Sequence, residues 1–393
     1  MNKHYHYGQT IKEYRQKRGM SQATLAEYWP GHPVNIRYVQ FVETGKRNIV
    51  DQDTLRQLSQ LLNIPLWQFG LSEYNPFTPQ DLPGRGEHLF QETLDTAEHL
   101  IQKTWYLRRI APISEAEESA HYLSSLFQNF LTSQPPSSIL EPRFLRLYAQ
   151  VQRLIGVMHV ERKHYPEAIA AYSTMYNIAK QLDEPYFLTL ALMNMGVELE
   201  RIGQKHEAIV HLEKARDTSF DTSKEVAALV HSYLARAYAS HGDGLRFQRA
   251  IETAQTLMSR LKQNPDNDAN HVFFSMSAVL AELSYGYPEI GEPRKTLEMK
   301  DEITRQIKLD RNARLHAWIP LDWARAYFML HEIEESAKAG REFFHRSLEL
   351  QSPQAIGRAH EHLITLEKAG YTDREEVQQF RDELEQAKKE QEK

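Results

Sequence analysis

Apolar positions at the start of the chain recur at helical spacing in short bursts, each closed by a stop signal. In "YGQTIKEYRQKRG", Ile11 and Tyr14 share one helix face, basic residues fill the last turn and Gly19 ends it. Ser21 caps a second segment holding Ala23, Leu25 and Ala26. "VNIRYVQFVETG" predicts a third helix, with Asn35 as cap, Val39 and Val42 inward and Gly45 as stop. Leu55, Leu58, Leu61 and Leu62 then keep the i, i+3, i+4 spacing of an amphipathic helix that Pro65 ends. The pattern predicts a bundle of four or five short helices over residues 1–71.

The pattern stops in "LSEYNPFTPQDLPGRG". Pro76, Pro79 and Pro83 block a helix there, and Gly84 and Gly86 loosen the backbone, so residues 72–86 are expected to be a linker. From residue 87 to 393 helical periodicity returns and repeats itself. "EAI" occurs at Glu167–Ile169 and again 40 residues on at Glu207–Ile209. Gly156 and Gly196 precede the two copies, and Tyr172 and Leu212 keep the same register. A third copy has Ala235, Tyr238 and "RAI" at Arg249–Ile251, with "SHGDGLRF" read as a longer turn; a looser fourth has Ala324, Tyr327, Ala337 and Phe343. Small residues recur because two antiparallel helices approach closely only where a side chain is tiny, and each hairpin leaves an apolar face for the next to cover. Ser114 with Glu117, and Thr222 with Glu225, have capping-box spacing; Asp183 to Pro185 and Ser352 to Pro353 read as helix starts. The expected fold class is all-α.

Charge divides along the same boundary. Residues 1–72 hold nine basic side chains against five acids, a balance of +4, whereas the whole chain carries -6 and the remainder therefore -10. A basic head on an acidic body suggests that only the head meets phosphate. There is no cysteine, which excludes disulfides, thiolate metal sites and cysteine nucleophiles. No apolar run is long enough to cross a bilayer and the N-terminus lacks a signal-peptide core, so a cytoplasmic protein without a membrane partner is expected.

The order Ser21, Gln22, Leu25, Ala26, then Val39, Val42, Glu43 and Gly45, followed by Lys46 and Arg47, resembles the XRE (lambda-repressor-like) helix-turn-helix family over residues 8–71. Between Ala26 and Glu43 the chain carries about three more residues than that family's short turn, in "WPGHPV", which leaves the projection of the following helix open. The resemblance implies double-stranded DNA as partner, with the start of the third helix in the major groove. Asn35, Ile36, Arg37 and Tyr38, with Gln40 and Phe41 one turn on, would then reach base edges; Arg37 suits guanine and Gln40 adenine. Ser21, Gln22, Lys46, Arg47 and Asn48 are placed to meet phosphate.

The repeats resemble tetratricopeptide repeats, best over residues 150–260, with looser copies at 87–133 and 270–390. That resemblance implies a right-handed α-solenoid whose first helices line a concave face. In this register Arg153, Val157, Met193, Asn194, Val197, Arg236 and Arg325 point into the hollow. Amide and guanidinium groups among apolar ones suit an extended peptide, with its backbone and its carboxylate.

Catalytic and metal signatures are missing from the text. His4 and His6 sit near the terminus, His360 and His362 are two apart on a helix, and no HExxH, GxSxG or phosphate-loop motif occurs. Neither enzyme activity nor a metal or cofactor is expected. A helix-turn-helix head followed by such repeats is similar to the peptide-sensing RRNPPA regulators of Gram-positive bacteria, which implies a homodimeric transcription regulator controlled by a peptide. The alternative is a repeat scaffold for a protein partner whose head no longer reads DNA.

Overall fold

The computed structural model describes residues 7–71, 85–133, 135–261, 272, 274–310 and 312–391. The expected linker lies outside these residues except for its last two, which open a helix; His4 and His6 lie outside as well. The chain divides into two compact units, Met1–Leu89 and Phe90–Lys393.

The first unit holds α1 (Gly8–Lys17), α2 (Gln22–Glu27), α3 (Ile36–Glu43), α4 (Gln52–Leu62) and a 3-10 turn at Leu66–Phe69. The starts of α2, α3 and α4 are each fixed by a side-chain cap. Ser21 Oγ accepts from Thr24 N at 3.0 Å, Asn35 Oδ1 from Arg37 N at 3.0 Å and Asp51 Oδ2 from Thr54 N at 2.8 Å. Gly19 and Gly45 end α1 and α3 in the left-handed region, which costs glycine nothing. Ile11, Leu25, Val39, Leu58, Leu62 and Phe69 form the core, all but inaccessible to water.

The second unit is a stack of antiparallel helices. It begins at Phe90 within α5 (Arg85–Ile110) and runs through α6 (Ile113–Ser133), α7 (Glu141–Glu161), α8 (Tyr165–Leu182), α9 (Pro185–Arg201), α10 (Lys205–Ser219), α11 (Lys224–Ser240) and α12 (Gly244–Ser259). Then follow α13 (Met276–Glu289), α14 (Pro293–Glu298), α15 (Lys300–Ile307), α16 (Ala313–Met329), α17 (Ile333–Glu349), α18 (Pro353–Lys368) and α19 (Glu375–Gln391).

One turn geometry recurs between paired helices. Lys163, Gly203, Gly242, Gly291 and His331 all have positive φ, and the next amide reaches back five residues, from 2.8 Å for His164 N on His159 O to 2.9 Å for Glu332 N on Tyr327 O. This is the Schellman ending, which satisfies carbonyls that a helix end leaves bare. The third hairpin uses the same short turn, His241–Asp243, so "SHGDGLRF" is no longer connection; instead Phe247 occupies the position of Ala168, and "RAI" lies about one turn farther along α12. Both capping boxes are also corrected. Ser114 lies inside α6 and its hydroxyl donates to Gln351 Oε1 at 3.1 Å, while Ser223, not Thr222, caps α11 by accepting from Val226 N at 3.3 Å.

The glycine register has a steric cause. A Cβ on Gly156 would lie 2.3 Å from the Tyr172 ring, and one on Gly196 2.7 Å from Leu212 Cγ. A continuous core runs from Leu94 to Leu283 along the stack. The two ends of the stack also meet. Ile113 N donates to Leu350 O at 3.1 Å, Arg314 Nε to Arg108 O at 2.5 Å, and Ser352 Oγ to Glu161 Oε2 at 2.6 Å. The seam is polar, and it closes what the repeat pattern alone would leave as an open curve.

Candidate nucleic-acid interface and the inner face of the repeats

The third helix shows two faces. Val39, Val42 and Glu43 are buried, whereas Ile36, Arg37, Gln40, Phe41 and Thr44 form an exposed stripe at i, i+1, i+4, i+5 and i+8. Ile36 is 43% and Phe41 46% exposed, a strongly apolar presence for a solvent face.

A buried ion pair holds this helix in place. Arg15 Nε lies 2.5 Å from Glu43 Oε1, and Arg15 Nη2 donates to Glu43 Oε2 at 3.1 Å. Arg15 Nη1 donates to Met20 O at 2.7 Å, and Gln22 Nε2 to Glu43 Oε2 at 2.7 Å. The Glu43 carboxylate therefore joins α1, α2 and α3, with its charge met by bidentate arginine. Sequence reading counted Arg15 among the basic groups of a helix end; the inward position of Glu43 was the available signal for its partner.

The extended turn folds rather than dangles. Val34 N donates to Ala26 O at 2.8 Å, and Trp29, 6% exposed, meets Tyr38 edge-on with ring centroids 5.3 Å apart. Gly31, His32 and Pro33 bulge outward between these two anchors. The extra residues are thus accommodated as an exposed bulge, and Trp29 braces the start of α3.

The predicted head residues are connected by contacts. Gln40 Nε2 donates to Gln22 Oε1 at 3.4 Å, Arg47 lies over the Tyr38 ring at 4.7 Å, and Lys46 over the Phe41 ring at 5.8 Å. Ser21, Asn35, Lys46, Arg47 and Asn48 are exposed. Gln22 and Tyr38 are half-buried: the Gln22 amide is engaged with Glu43 and Gln40, and the Tyr38 ring with Trp29 and Arg47. Among the described residues, no carboxylate pairs with Arg37, Lys46 or Arg47.

The inner face of the repeats departs from expectation. Met193 and Val197 are only 2% and 7% exposed and belong to the continuous core, because successive first helices pack side by side. Val157 is half-buried, and Arg153 lies over the Trp105 ring at 4.4 Å. Asn194 is half-buried with its Nδ2 unpartnered. Arg236 is held by Glu200 at 3.3 Å and Glu282 at 3.4 Å and lies 3.7 Å from the Tyr285 ring centroid. Arg325 pairs with Glu289 and lies 4.9 Å from the same ring. The two arginines are thus already engaged in internal pairs.

Burial pushes the carboxyls of this network upward. Asp322 is raised to about 7 by desolvation, with Arg325 and Arg236 opposing, and Glu282 is raised for the same reason. Burial also acts on Glu200, but Arg236 and the Ser240 hydroxyl, 2.7 Å away, hold it below the usual range. Sequence reading missed Glu282, Tyr285 and Asp322. The signal was the turn register: Glu282 and Asp322 stand nine residues before Gly291 and His331, and Tyr285 six before Gly291, as Asn194 and Arg236 do in their own repeats.

Among the described residues no cluster of three or more His, Asp or Glu could hold a metal ion, and no helix is long and apolar enough to cross a membrane. His360 is exposed, and His362 is buried against Ser336 Oγ at 3.0 Å.

Residues 11–66 match the family model described as Helix-turn-helix. The first unit is a helix-turn-helix domain. Among solved structures, the chain is similar to Bacillus thuringiensis PlcR in complex with the peptide PapR7 and DNA, at 15% identity over 91% of this chain and 98% of that one, with a TM-score of 0.40. No curated protein matches the chain.

Proposed function

We propose that this chain is a cytoplasmic transcription regulator that binds duplex DNA as a homodimer and carries a ligand-controlled repeat domain, binding rather than catalysing. The observation that carries the reading is the exposed stripe of α3, which holds Arg37 and is followed by Lys46 and Arg47, three cations without acid partners among the described residues, and which is locked by the buried Arg15 to Glu43 pair. Such a stripe fits the major groove, with Arg37 and Gln40 supplying hydrogen bonds to bases and Lys46 and Arg47 meeting phosphate. A short peptide suits the inner face of the repeats, where the Asn194 amide is unpartnered. A dimer would present two heads to half-sites, and a ligand that binds two arrangements unequally would change their spacing.

The test is selection of duplexes from a random pool, followed by titration with the selected site in rising salt. A defined site and a steep negative salt slope support the reading. In the same assay Arg37→Ala is expected to cost about 1 to 3 kcal/mol and to relax preference at one base pair.

A further inference from the structure

The second helix of one repeat is broken. Where its counterpart α17 runs unbroken over Ile333–Glu349, the segment after Gly291 forms two short helices, α14 and α15, that meet at Met299. Beneath α15, against α16 and α17, lies a cleft of about 600 Å³. That volume lies within the range of small-molecule sites.

Its chemistry is lopsided. Ile307, Ile319 and Leu350 supply an apolar lining. The cations Lys300, Lys308 and Arg346 line it together with two carboxylates, Glu342 and Glu349. Lys300 Nζ faces the Trp323 ring at 4.7 Å and touches the Tyr327 hydroxyl at 3.4 Å, with no carboxylate on it, and Lys308 has none either. Trp323 lines the cleft, is 7% exposed, and its indole Nε1 has no hydrogen-bond partner. Arg346 is already spent on His316 O at 2.7 Å and Glu342 at 2.5 Å. An indole N–H buried without an acceptor is costly, and the half-buried Lys300 with the exposed Lys308 outnumber Glu349, so the cleft keeps a net positive charge beside its apolar lining.

We propose that this cleft is a binding site for a small organic anion with an apolar body, of the alkyl or aryl carboxylate class. The body covers the apolar lining; the carboxylate accepts from Lys300 or Lys308. The site also adjoins the polar seam of the stack. Lining residue Ala313 precedes Arg314, and the Leu350 carbonyl accepts the Ile113 amide across the seam at 3.1 Å. Occupancy therefore tightens the closure between the two ends of the repeats. The inference stands apart from the reading of the head, since neither DNA nor peptide takes part in it.

The experiment is calorimetric titration of the full chain with decanoate, decylamine and decan-1-ol, repeated on Lys300→Gln/Lys308→Gln. Lys300 opens α15 and Lys308 follows its last residue, both lining the cleft, and the melting temperature of the unliganded variant monitors folding. The expected result is saturable one-to-one binding of decanoate, weakened about tenfold or more by the double variant and in decylamine, as loss of a charged contact implies. Hydrogen exchange at Ile113 should slow when decanoate is bound. Absence of saturable binding, equal binding of all three probes, or binding indifferent to both lysines overturns the proposal.

Discussion

Glu161 on α7 and Arg314 on α16 are 153 residues apart in sequence, yet Arg314 Nη1 donates to Glu161 Oε1 at 2.8 Å. Their side chains are 5% and 7% exposed, and the other Glu161 oxygen is taken by Ser352. One carboxylate thus ties the early repeats to the late ones. Its charge is buried, so its worth lies in being paired.

Glu161→Ala leaves the Arg314 guanidinium buried without its acid. The expected loss is about 3 kcal/mol of unfolding free energy, as for other broken buried pairs, read by urea denaturation. Amide exchange at Ile113 should also quicken, because the seam loosens. An unchanged midpoint together with unchanged exchange contradicts the assigned role.

Gly156→Ala places a methyl into the Tyr172 ring, which is 1% exposed and cannot swing away. Overpacking of this kind costs about 1 to 3 kcal/mol, so thermal unfolding should fall by several degrees. Gly203→Ala is a contrasting probe. No heavy atom lies within 4 Å of its added methyl, so its cost comes from the left-handed backbone alone.

His362 predicts an acid-side slope. Burial pulls its imidazole down to about 4 from an ordinary 6.5, so the folded state holds it neutral while the unfolded chain protonates. Its contribution is complete above pH 6.5 and is lost as pH falls from there toward 4, on the order of 3 kcal/mol in all. His362→Leu should flatten that part of the stability curve. A curve with the same slope in both proteins counts against the assignment.

Asp322 has the opposite sign. Desolvation raises its carboxyl to about 7 from 3.8, so folding favours the protonated acid. The contribution is complete below about pH 3.8 and declines as pH climbs toward 7. Asp322→Asn should therefore stabilise the chain at pH 8, by on the order of 4 kcal/mol, with little effect at pH 4. Destabilisation at pH 8 would show that its attraction to Arg325 and Arg236 outweighs the desolvation.

Local grammar made much of this fold legible. Ser21 and Asn35 as caps, Gly19 and Gly45 as stops, and the spacing of Gly156 from Tyr172 are all consequences of nearby backbone geometry. Long-range relations were not. Arg15 looks like any basic residue near a helix end until Glu43, 28 residues on, is placed beside it. Met193 shares its repeat with exposed positions, but the neighbouring first helix covers it. The seam joins residues from Ile113 to Leu350, which repeat spacing cannot foresee. On the inner face, counting back from the left-handed turn residue locates Glu282, Tyr285 and Asp322, whereas counting from the alanine motif slips in the third repeat.

The central claim is that the exposed stripe of α3 reads duplex DNA. Its most direct test is the affinity of the full chain for its selected duplex across a salt series, beside Arg37→Ala and Lys46→Ala. The account predicts that Arg37→Ala relaxes preference at one base pair, while Lys46→Ala weakens all sequences alike and lowers the salt slope by about one. Failure of the intact, folded chain to select any site, or selection unaltered by both substitutions, contradicts it.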